Sequence, residues 1–170
     1  QPQRAPKGIT LQQCHAGQAW QWDGVAFNVL WPPHDIAAAA RANNHSCVLH
    51  ISSATQSILL TGDIEQAVEA KLLSDPAALQ AAVLVAPHHG SNSSSSSAFI
   101  QAVNPQQVVF SAAYRSRFGH PHTKVLQRYS DAGVKRYLTA YCGRFLYTQS
   151  GVSCQRSQHK QRWQVEMLNK

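Results

Sequence analysis

The sequence predicts an α/β fold, and three observations support that prediction. The first half of the chain consists of short apolar runs separated by turn residues, which is typical of β-strands. From residue 82 onward, apolar runs alternate with amphipathic stretches, as in the strand–helix units of a layered sheet. The last part returns to short strands. At 170 residues and 44% hydrophobic content, the chain is predicted to be one globular domain.

The elements of the first half are predicted from apolar runs and turn signals. Asp23-Gly24 lies between two such runs and is a strong signal for a type I′ hairpin. A polar, alanine-rich segment over residues 35–44 follows Pro32-Pro33 and is predicted to be partly helical or mobile. Strands are predicted over residues 9–13, 19–23, 25–31, 47–52 and 57–61.

In the second half, residues 64–73 form an amphipathic pattern, with Val68 and Leu72 facing inward and Glu65 and Glu69 facing outward. Asn92 and the five serines after it precede a helical pattern, so they are expected to provide an N-cap rather than a linker. Helices are predicted over residues 64–73, 98–103 and 122–132, and strands over residues 82–86, 107–111, 134–139, 144–149 and 162–168.

The charge of the chain is unevenly distributed, and a polyanionic partner is one of two explanations for it. The formal net charge is +7, but residues 1–114 contain four Lys or Arg against six Asp or Glu, whereas residues 115–170 contain eleven against two. A basic face attracts nucleic acid without reading its sequence. A solvated basic surface explains the charge equally well when it is considered alone. No apolar run approaches the roughly 20 residues that cross a bilayer.

The four cysteines leave two interpretations open. They are Cys14, Cys47, Cys142 and Cys154, and their spacing is not that of a structural zinc site. Cys142 and Cys154 flank a predicted hairpin, where cross-strand neighbours lie close enough to bond. Two disulfides would indicate an oxidising compartment, and buried free thiols would explain the same residues.

Three predicted strands end on side chains that can bind a metal. Residues 60–63 (Leu-Thr-Gly-Asp) end one strand, residues 86–91 (Ala-Pro-His-His-Gly-Ser) end the next, and residues 118–121 (Phe-Gly-His-Pro) follow a third. The candidate ligands are Asp63, His88, His89 and His120. Since chemistry in layered α/β enzymes is usually placed where strands end, the pattern predicts a site for a divalent ion of zinc or manganese type.

Each candidate ligand also has a structural interpretation. On spacing alone, Asp63 is better explained as a helix cap. For the histidine pair a ligand role is favoured over an ordinary surface pair, because Pro87 and Gly90 fix the turn. Adjacent residues on an extended backbone point to opposite sides, so one of His88 and His89 is expected to reach the first metal position. The other would serve a second position, donate a hydrogen bond or transfer protons.

Two further residues near these motifs have weaker signals. His122 is expected to face solvent in the first turn of its helix. Ser91 is expected to act as a cap or a substrate contact, since nothing supports a nucleophilic role.

Four blocks in order resemble the metallo-β-lactamase-like domain of ComEC-type DNA-internalisation competence proteins. They are residues 43–49 (Asn-Asn-His-Ser-Cys-Val-Leu), 59–65 (Leu-Leu-Thr-Gly-Asp-Ile-Glu), 85–91 (Val-Ala-Pro-His-His-Gly-Ser) and 117–121 (Arg-Phe-Gly-His-Pro). The resemblance extends from about residue 11 to residue 162.

The resemblance implies an αββα sandwich at the C-terminus of a polytopic membrane channel for transforming DNA. It implies a bacterial inner-membrane location, with the periplasmic face favoured, and a metal-dependent nuclease that degrades the strand not imported. Asp63, His88, His89 and His120 match the family's active-site motifs and would be catalytic residues and ligands of Mn or Zn, with two ions in a complete domain. The partner would be single-stranded or transforming DNA, and no small-molecule cofactor is implied.

The chain departs from the family pattern at one point. Metallo-β-lactamase folds have an early His-x-(His/Asp)-x-Asp-His motif that supplies most metal ligands, and this sequence contains none. We therefore interpret residues 1–170 as the C-terminal part of such a domain, incomplete at its N-terminal side. On that interpretation the isolated chain binds metal weakly and is inactive, while the intact parent is active.

Two alternatives to the nuclease remain. The chain would be a non-catalytic DNA-binding module with a degenerate metal site, or a different hydrolase of the superfamily that acts on phosphodiesters or thioesters. The basic last third favours a polyanion over a small neutral substrate. The expected phosphate contacts are Arg115, Arg117, Lys124 and Arg128, and ordinary surface charge is the competing explanation.

Overall fold

The structure is a computed structural model that describes residue 8, residues 12–37 and residues 40–158. The strand predicted over residues 162–168 lies outside the described residues. The one predicted over 9–13 is described only at residues 12 and 13, which have no regular secondary structure.

Seven strands of the described chain form one sheet in the order of the sequence. They are β1 (Ala19–Trp22), β2 (Val25–Trp31), β3 (Val48–Ser52), β4 (Ser57–Leu60), β5 (Val83–Val85), β6 (Gln107–Phe110) and β7 (Lys135–Leu138). β1 to β4 pair antiparallel, and β4 to β7 pair parallel. The sheet therefore has an antiparallel half and a parallel half that meet at β4.

The helices lie between the parallel strands and after them. They are α1 (Gln66–Leu72), α2 (Ser97–Val103), α3 (Thr123–Asp131), α4 (Thr139–Cys142) and α5 (Gln155–Gln158). Short 3₁₀ turns occupy Ala42–His45, Pro76–Leu79 and Pro87–Gly90. A separate antiparallel hairpin consists of β8 (Phe145–Thr148) and β9 (Gly151–Cys154). The α/β class predicted from the sequence is confirmed.

Local sequence explains where these elements begin and turn. Asp23 and Gly24 have φ values of 50° and 75°, the left-handed pair that a type I′ turn between β1 and β2 requires. The serine run caps α2 as predicted, because the Oγ of Ser96 accepts a hydrogen bond from the backbone N–H of Phe99 (3.3 Å).

The core lies between one face of the sheet and the helices that pack on it. Leu59, Leu84 and Val108 are neighbours across β4, β5 and β6, and all three are fully buried. Phe99 of α2 and Tyr129 of α3 are fully buried in the same cluster. This packing holds the parallel strands in fixed register, so the residues that follow each strand start from a rigid edge.

The prediction for the first helix is wrong in two respects. The helix begins at Gln66 rather than at residue 64, and Glu69, which was expected to face outward, is fully buried. Glu69 is inside because its carboxylate accepts hydrogen bonds from the backbone N–H groups of Ser95 and Ser96. Charge alone predicted exposure, but a buried carboxylate is stable when backbone donors satisfy it.

The cysteines form two disulfides, Cys14–Cys47 and Cys142–Cys154. The first joins the segment before β1 to the start of β3, and the second connects α4 to the end of β9. The structure thus selects the bonded alternative for all four cysteines.

Candidate functional site

One edge of the sheet brings four segments of the chain together. The carboxyl ends of β4, β5 and β6 meet there because these strands are parallel. β3 runs antiparallel to β4, so the residues that lead into β3 arrive at the same edge. The edge therefore carries residues 43–46, 61–65, 86–91 and 111–120.

Asp63 reaches the edge through a tight turn that only glycine fits. Gly62 has a φ of 54°, and a Cβ atom there would lie 2.7 Å from the Cβ of Ser46. The backbone N–H of Asp63 donates to the Oγ of Ser46 (3.0 Å). Since α1 begins three residues later with Glu65 at its N-cap position, the interpretation of Asp63 as a helix cap is wrong. Its side chain is 42% exposed, so a ligand can reach the carboxylate.

The histidine pair has a left-handed backbone rather than the extended one expected from the sequence. His88 and His89 have φ values of 48° and 55°. The backbone N–H of His88 donates to the carbonyl of Gly62 (3.0 Å), which fixes the pair against the Asp63 turn. The prediction that the two rings point to opposite sides assumed an extended backbone, and that assumption is wrong. The ring centroids of His88 and His89 lie 6.4 Å apart.

Gly90 closes this turn under steric constraint. Its φ is 83°, and a Cβ atom there would lie 2.7 Å from the Cβ of Pro121 and 2.8 Å from the ring of Phe110. The carbonyl of Gly90 accepts a hydrogen bond from the backbone N–H of His122 (2.9 Å). The segments after β5 and β6 are thus packed directly against each other.

The two histidines of the pair have different partners. The Nε2 of His89 lies 3.4 Å from the Oδ1 of Asp63, with both side chains roughly half exposed. The Nδ1 of His88 lies 3.9 Å from the Oε1 of Glu65 and 3.5 Å from the Oγ of Ser93. His88 is the more enclosed of the two, at 22% exposure.

His120 completes the group from the loop after β6. Its ring centroid is 5.7 Å from that of His88, and its Nδ1 is buried without a hydrogen-bond partner. Burial lowers the pKa of His120, the nearby imidazoles of His88, His89 and His122 lower it further, and Asp63 acts in the opposite direction. His120 is therefore neutral near pH 7, and one of its two ring nitrogens has a lone pair available to a cation.

The donor types fit a divalent metal, but the described residues do not complete a site. Imidazole nitrogen and carboxylate oxygen are ordinary ligands of zinc and manganese, and the unpartnered Nδ1 of His120 is a candidate donor. Within residues 12–37 and 40–158, however, no three His, Cys, Asp or Glu side chains converge closely enough to hold one ion. Asp63, His88, His89 and His120 thus provide candidate ligands that further donors must complete.

A buried hydrogen-bond network supports the turn from behind. Glu69 accepts from the backbone N–H groups of Ser95 and Ser96, and the Nη1 of Arg128 donates to the carbonyls of Ser94 and Ser95 (3.0 Å each). Burial raises the pKa of Glu69, while the hydrogen bonds from Ser96 and Ser95 and the charge of Arg128 oppose that rise.

The network reaches the histidines through the backbone. The hydroxyl of Tyr129 donates to the Oγ of Ser95 (3.1 Å), and burial raises the pKa of that phenol. The Oγ of Ser94 donates to the carbonyl of Pro87 (2.8 Å), directly before the histidine pair. The serine run predicted only as a cap therefore also fixes the turn that holds His88 and His89.

The four residues expected to contact nucleic acid lie in two different environments. Arg115, Arg117 and Lys124 are exposed. Arg128 is partly buried and bound to the loop carbonyls described above, so it has a role in the fold that the sequence did not indicate. Its predicted contact with nucleic acid remains a prediction.

Sequence reasoning missed three polar neighbours of His88. They are Glu65, Ser93 and Asn43, whose Nδ2 lies 3.5 Å from the Nε2 of His88. Glu65 also pairs with Arg41 (3.2 Å). The pairing of β3 with β4 was the signal that could have found Asn43, because it brings the residues before β3 beside those after β4. His122, expected to face solvent, is partly exposed; its Nδ1 also accepts from the N–H of Lys124 (3.2 Å), which caps α3.

Comparison with known proteins identifies relatives along most of the chain. No protein-family model matches. The chain is 40% identical to protein YcaI of Escherichia coli over 89% of its own length and 21% of that protein. It is 37% identical to competence protein ComA of Neisseria gonorrhoeae (88% and 22%) and 32% identical to ComE operon protein 3 of Bacillus subtilis (83% and 18%). The chain spans about a fifth of the length of these curated relatives.

Among solved structures, a member of the metallo-β-lactamase superfamily from Thermotoga maritima aligns with 65% of this chain and 55% of its own. The TM-score is 0.42 and the identity 12%, so the similarity has no weight for function. In the part of the chain that the structure describes, no helix has the length and apolar character needed to cross a membrane.

Proposed function

Since the chain belongs to the ComEC-type family of competence proteins, we propose that it is the later part of a metal-dependent DNA nuclease domain that acts in DNA uptake. In this proposal the intact protein degrades the strand that is not imported. The observation that supports it best is the placement of Asp63, His88, His89 and His120 at one edge of the sheet, after neighbouring parallel strands.

Asp63, His88, His89 and His120 are the proposed metal ligands, and the remaining ligands would come from a segment that precedes this chain in the parent protein. A divalent ion of manganese or zinc type, bound between the two parts, would supply Lewis-acid activation of water and phosphodiester. Two features of the chain prepare it for this role. The pair of Asp63 with His89 orients one imidazole, and Glu65, Ser93 and Asn43 orient the other.

Phosphate binding is assigned to the basic residues beside His120. Arg115, Arg117 and Lys124 are exposed, which leaves their charges available to a polyanion. The partner would be single-stranded or transforming DNA.

We further propose that the domain belongs to a polytopic membrane channel and faces the bacterial periplasm. The two disulfides support this side of the membrane, because such bonds form and persist in oxidising compartments and are rare in the cytosol.

A cleavage assay tests the nuclease proposal. The substrate is labelled single-stranded DNA with manganese, and the proteins are this chain, a longer version that includes the preceding segment of its gene, and the longer version with Asp63→Ala. We expect cleavage only by the longer, unchanged protein, and we expect Asp63→Ala to abolish cleavage while DNA binding is retained.

A second function is favoured by the incomplete ligand set of the described residues: a DNA-binding module without catalysis. A folded longer protein that binds DNA in buffer containing manganese, without cleaving that DNA, would support the binding module and reject the nuclease. Equal loss of binding and cleavage in Asp63→Ala would indicate that Asp63 maintains the fold instead of the chemistry.

A further inference from the structure

The loop between β6 and His120 presents an exposed surface of alternating arginines and aromatic rings. The exposed fractions are 67% for Phe118, 39% for Tyr114 and 40% for Tyr141, whose side chain lies against this loop. We use the name aromatic ledge for these three rings together with Arg115 and Arg117. Large aromatic side chains are usually buried when a fold has no use for their surface.

Contacts within the aromatic ledge order the rings without covering them. The guanidinium carbon of Arg117 lies 4.6 Å from the ring centroid of Phe118, and that of Arg115 lies 5.4 Å from the ring of Tyr114. The rings of Tyr114 and Tyr141 meet edge to face at 6.0 Å. Each arginine is thus held beside an aromatic ring, with polar donors still directed to solvent.

Phe118 connects the aromatic ledge to the candidate site. Its ring centroid is 6.0 Å from that of His120, and the two planes differ by 26°, so the rings are stacked. A planar group laid on Phe118 would therefore lie next to the histidine cluster. Outside the aromatic ledge, the exposed large aromatic side chains of the described residues are Trp20 and Trp22. Both lie on β1, the outermost strand of the antiparallel half of the sheet, away from His120.

The charge around the aromatic ledge matches a polyanion. The sequence contains no Asp or Glu between Asp75 and Asp131. The ion pairs among the described residues involve Arg41, Glu65, Asp63 and the histidine pair, and none engages Arg115 or Arg117. Among the described residues, no carboxylate therefore competes with a phosphate for these two guanidinium groups.

We propose that the aromatic ledge binds unpaired bases of a single-stranded nucleic acid by stacking, while Arg115 and Arg117 contact the phosphates between them. Every base has a π-face, so such a surface accepts any sequence, but a duplex hides those faces within its own stack. The ledge would therefore select single strands and deliver them beside His120. This inference rests on the proposed DNA substrate and adds a basis for choosing between single and double strands.

Binding measurements on the 170-residue chain test the inference without any cleavage. Fluorescence anisotropy in EDTA compares three labelled ligands of equal length: a single strand, a duplex, and a strand of abasic sugar-phosphate units. The variant is Phe118→Leu, which keeps an apolar side chain but removes the flat ring. Its matched control is Trp22→Leu, which removes a ring that is 75% exposed on β1.

We expect Phe118→Leu to lower the affinity for the base-bearing single strand about five- to hundredfold, and to leave the affinity for the abasic strand unchanged. Trp22→Leu should match the unchanged chain on all three ligands, and thermal unfolding should show that both variants fold. The inference is overturned if Phe118→Leu binds the single strand as tightly as the unchanged chain does. It is also overturned if the loss is equal for the abasic strand, or if the unchanged chain shows no preference for the single strand over the duplex.

These outcomes are separable from failure of the nuclease proposal. A longer protein that does not cut DNA would reject the nuclease, yet the difference between base-bearing and abasic strands would still support the aromatic ledge. Cleavage by the longer protein, with no effect of Phe118→Leu on binding, would reject the ledge alone.

Discussion

The segments that follow β5 and β6 both bring histidine to the same sheet edge, yet they are built in opposite ways. The segment after β5, residues 86–96, is fixed by the close packing of Gly90 and by buried hydrogen bonds to Glu69 and Arg128. The segment after β6, residues 111–120, has most of its side chains in solvent. Its aromatic rings contact guanidinium groups, and its backbone N–H at Ala112 donates to the hydroxyl of Thr139 (3.2 Å). The first is organised to hold a geometry, and the second is organised to meet a ligand.

This contrast explains why the two segments have different tolerance to change. The segment after β5 is tightly packed, and its buried polar groups depend on specific hydrogen bonds. Substitutions there should therefore reduce the stability of the fold. In the segment after β6 the side chains have few partners in the fold, so substitution should alter binding with little effect on folding.

The largest difference is expected between two glycines, one in each segment. In Gly90→Ala the new methyl meets Pro121 and Phe110 at less than 3 Å, and alanine must also adopt a φ of 83°. Overpacking and the left-handed backbone together should lower the free energy of unfolding by about 3 kcal/mol. Gly119→Ala meets nothing within 4 Å at a φ of 68°, so only the backbone cost of about 1 kcal/mol applies. Urea denaturation of both variants measures the difference, and equal losses would contradict the assignment of Gly90 to a packed turn.

A pair of arginines gives the next largest contrast. Arg128→Ala removes two hydrogen bonds to the carbonyls of Ser94 and Ser95 and should lower the free energy of unfolding by about 2 kcal/mol. Arg117→Ala removes only an exposed contact with the Phe118 ring and should cost about 0.5 kcal/mol.

DNA binding adds a second measurement for Arg117. If it contacts one phosphate of a single strand, Arg117→Ala should reduce the slope of log affinity against log salt concentration by about 0.7. An unchanged slope together with unchanged affinity would remove Arg117 from the phosphate contacts. A stability loss as large as that of Arg128→Ala would show that the loop after β6 is held as firmly as the loop after β5.

The same contrast shows what could be predicted from the sequence. The sequence placed Asp63, His88, His89 and His120 at one sheet edge because each follows an apolar run. The parallel pairing of β4, β5 and β6 brings the ends of those strands to one edge. Local composition was sufficient for that inference, since each ligand candidate is signalled by its own neighbours along the chain.

The supporting residues could not be found in this way. The charge of Glu69 predicts that it lies on the solvent-facing side of α1. Its hydrogen-bond partners, Ser95 and Ser96, are 26 and 27 positions away in the sequence. The left-handed backbone of His88 and His89 was missed as well, because the energy that stabilises it comes from contacts with Gly62 and the serine run, not from the two residues themselves. Buried networks between distant segments leave no periodic signal in a sequence.

The smallest expected effect is the dependence of stability on pH that Glu69 contributes. Burial raises its pKa in the folded chain above the value of 4.5 for a free side chain. An acid whose pKa is raised by folding favours the folded state most when it is protonated. Its stabilising contribution is therefore complete below about pH 4.5 and is lost as the pH rises through the folded-state pKa.

Glu69→Gln tests the sign of this effect, because glutamine has the shape of the protonated carboxyl and does not titrate. The free energy of unfolding, measured by urea denaturation at a series of pH values, should fall above pH 4.5 in the unchanged chain relative to the variant. Asp131→Asn, which removes an exposed carboxylate at the end of α3, is measured beside it as the control. A rise in the unchanged chain relative to Glu69→Gln would mean that the hydrogen bonds from Ser95 and Ser96, with the charge of Arg128, outweigh burial. In that case the loop after β5 would be held by an ionised carboxylate, and the electrostatic difference between the two segments would be larger than the packing alone indicates.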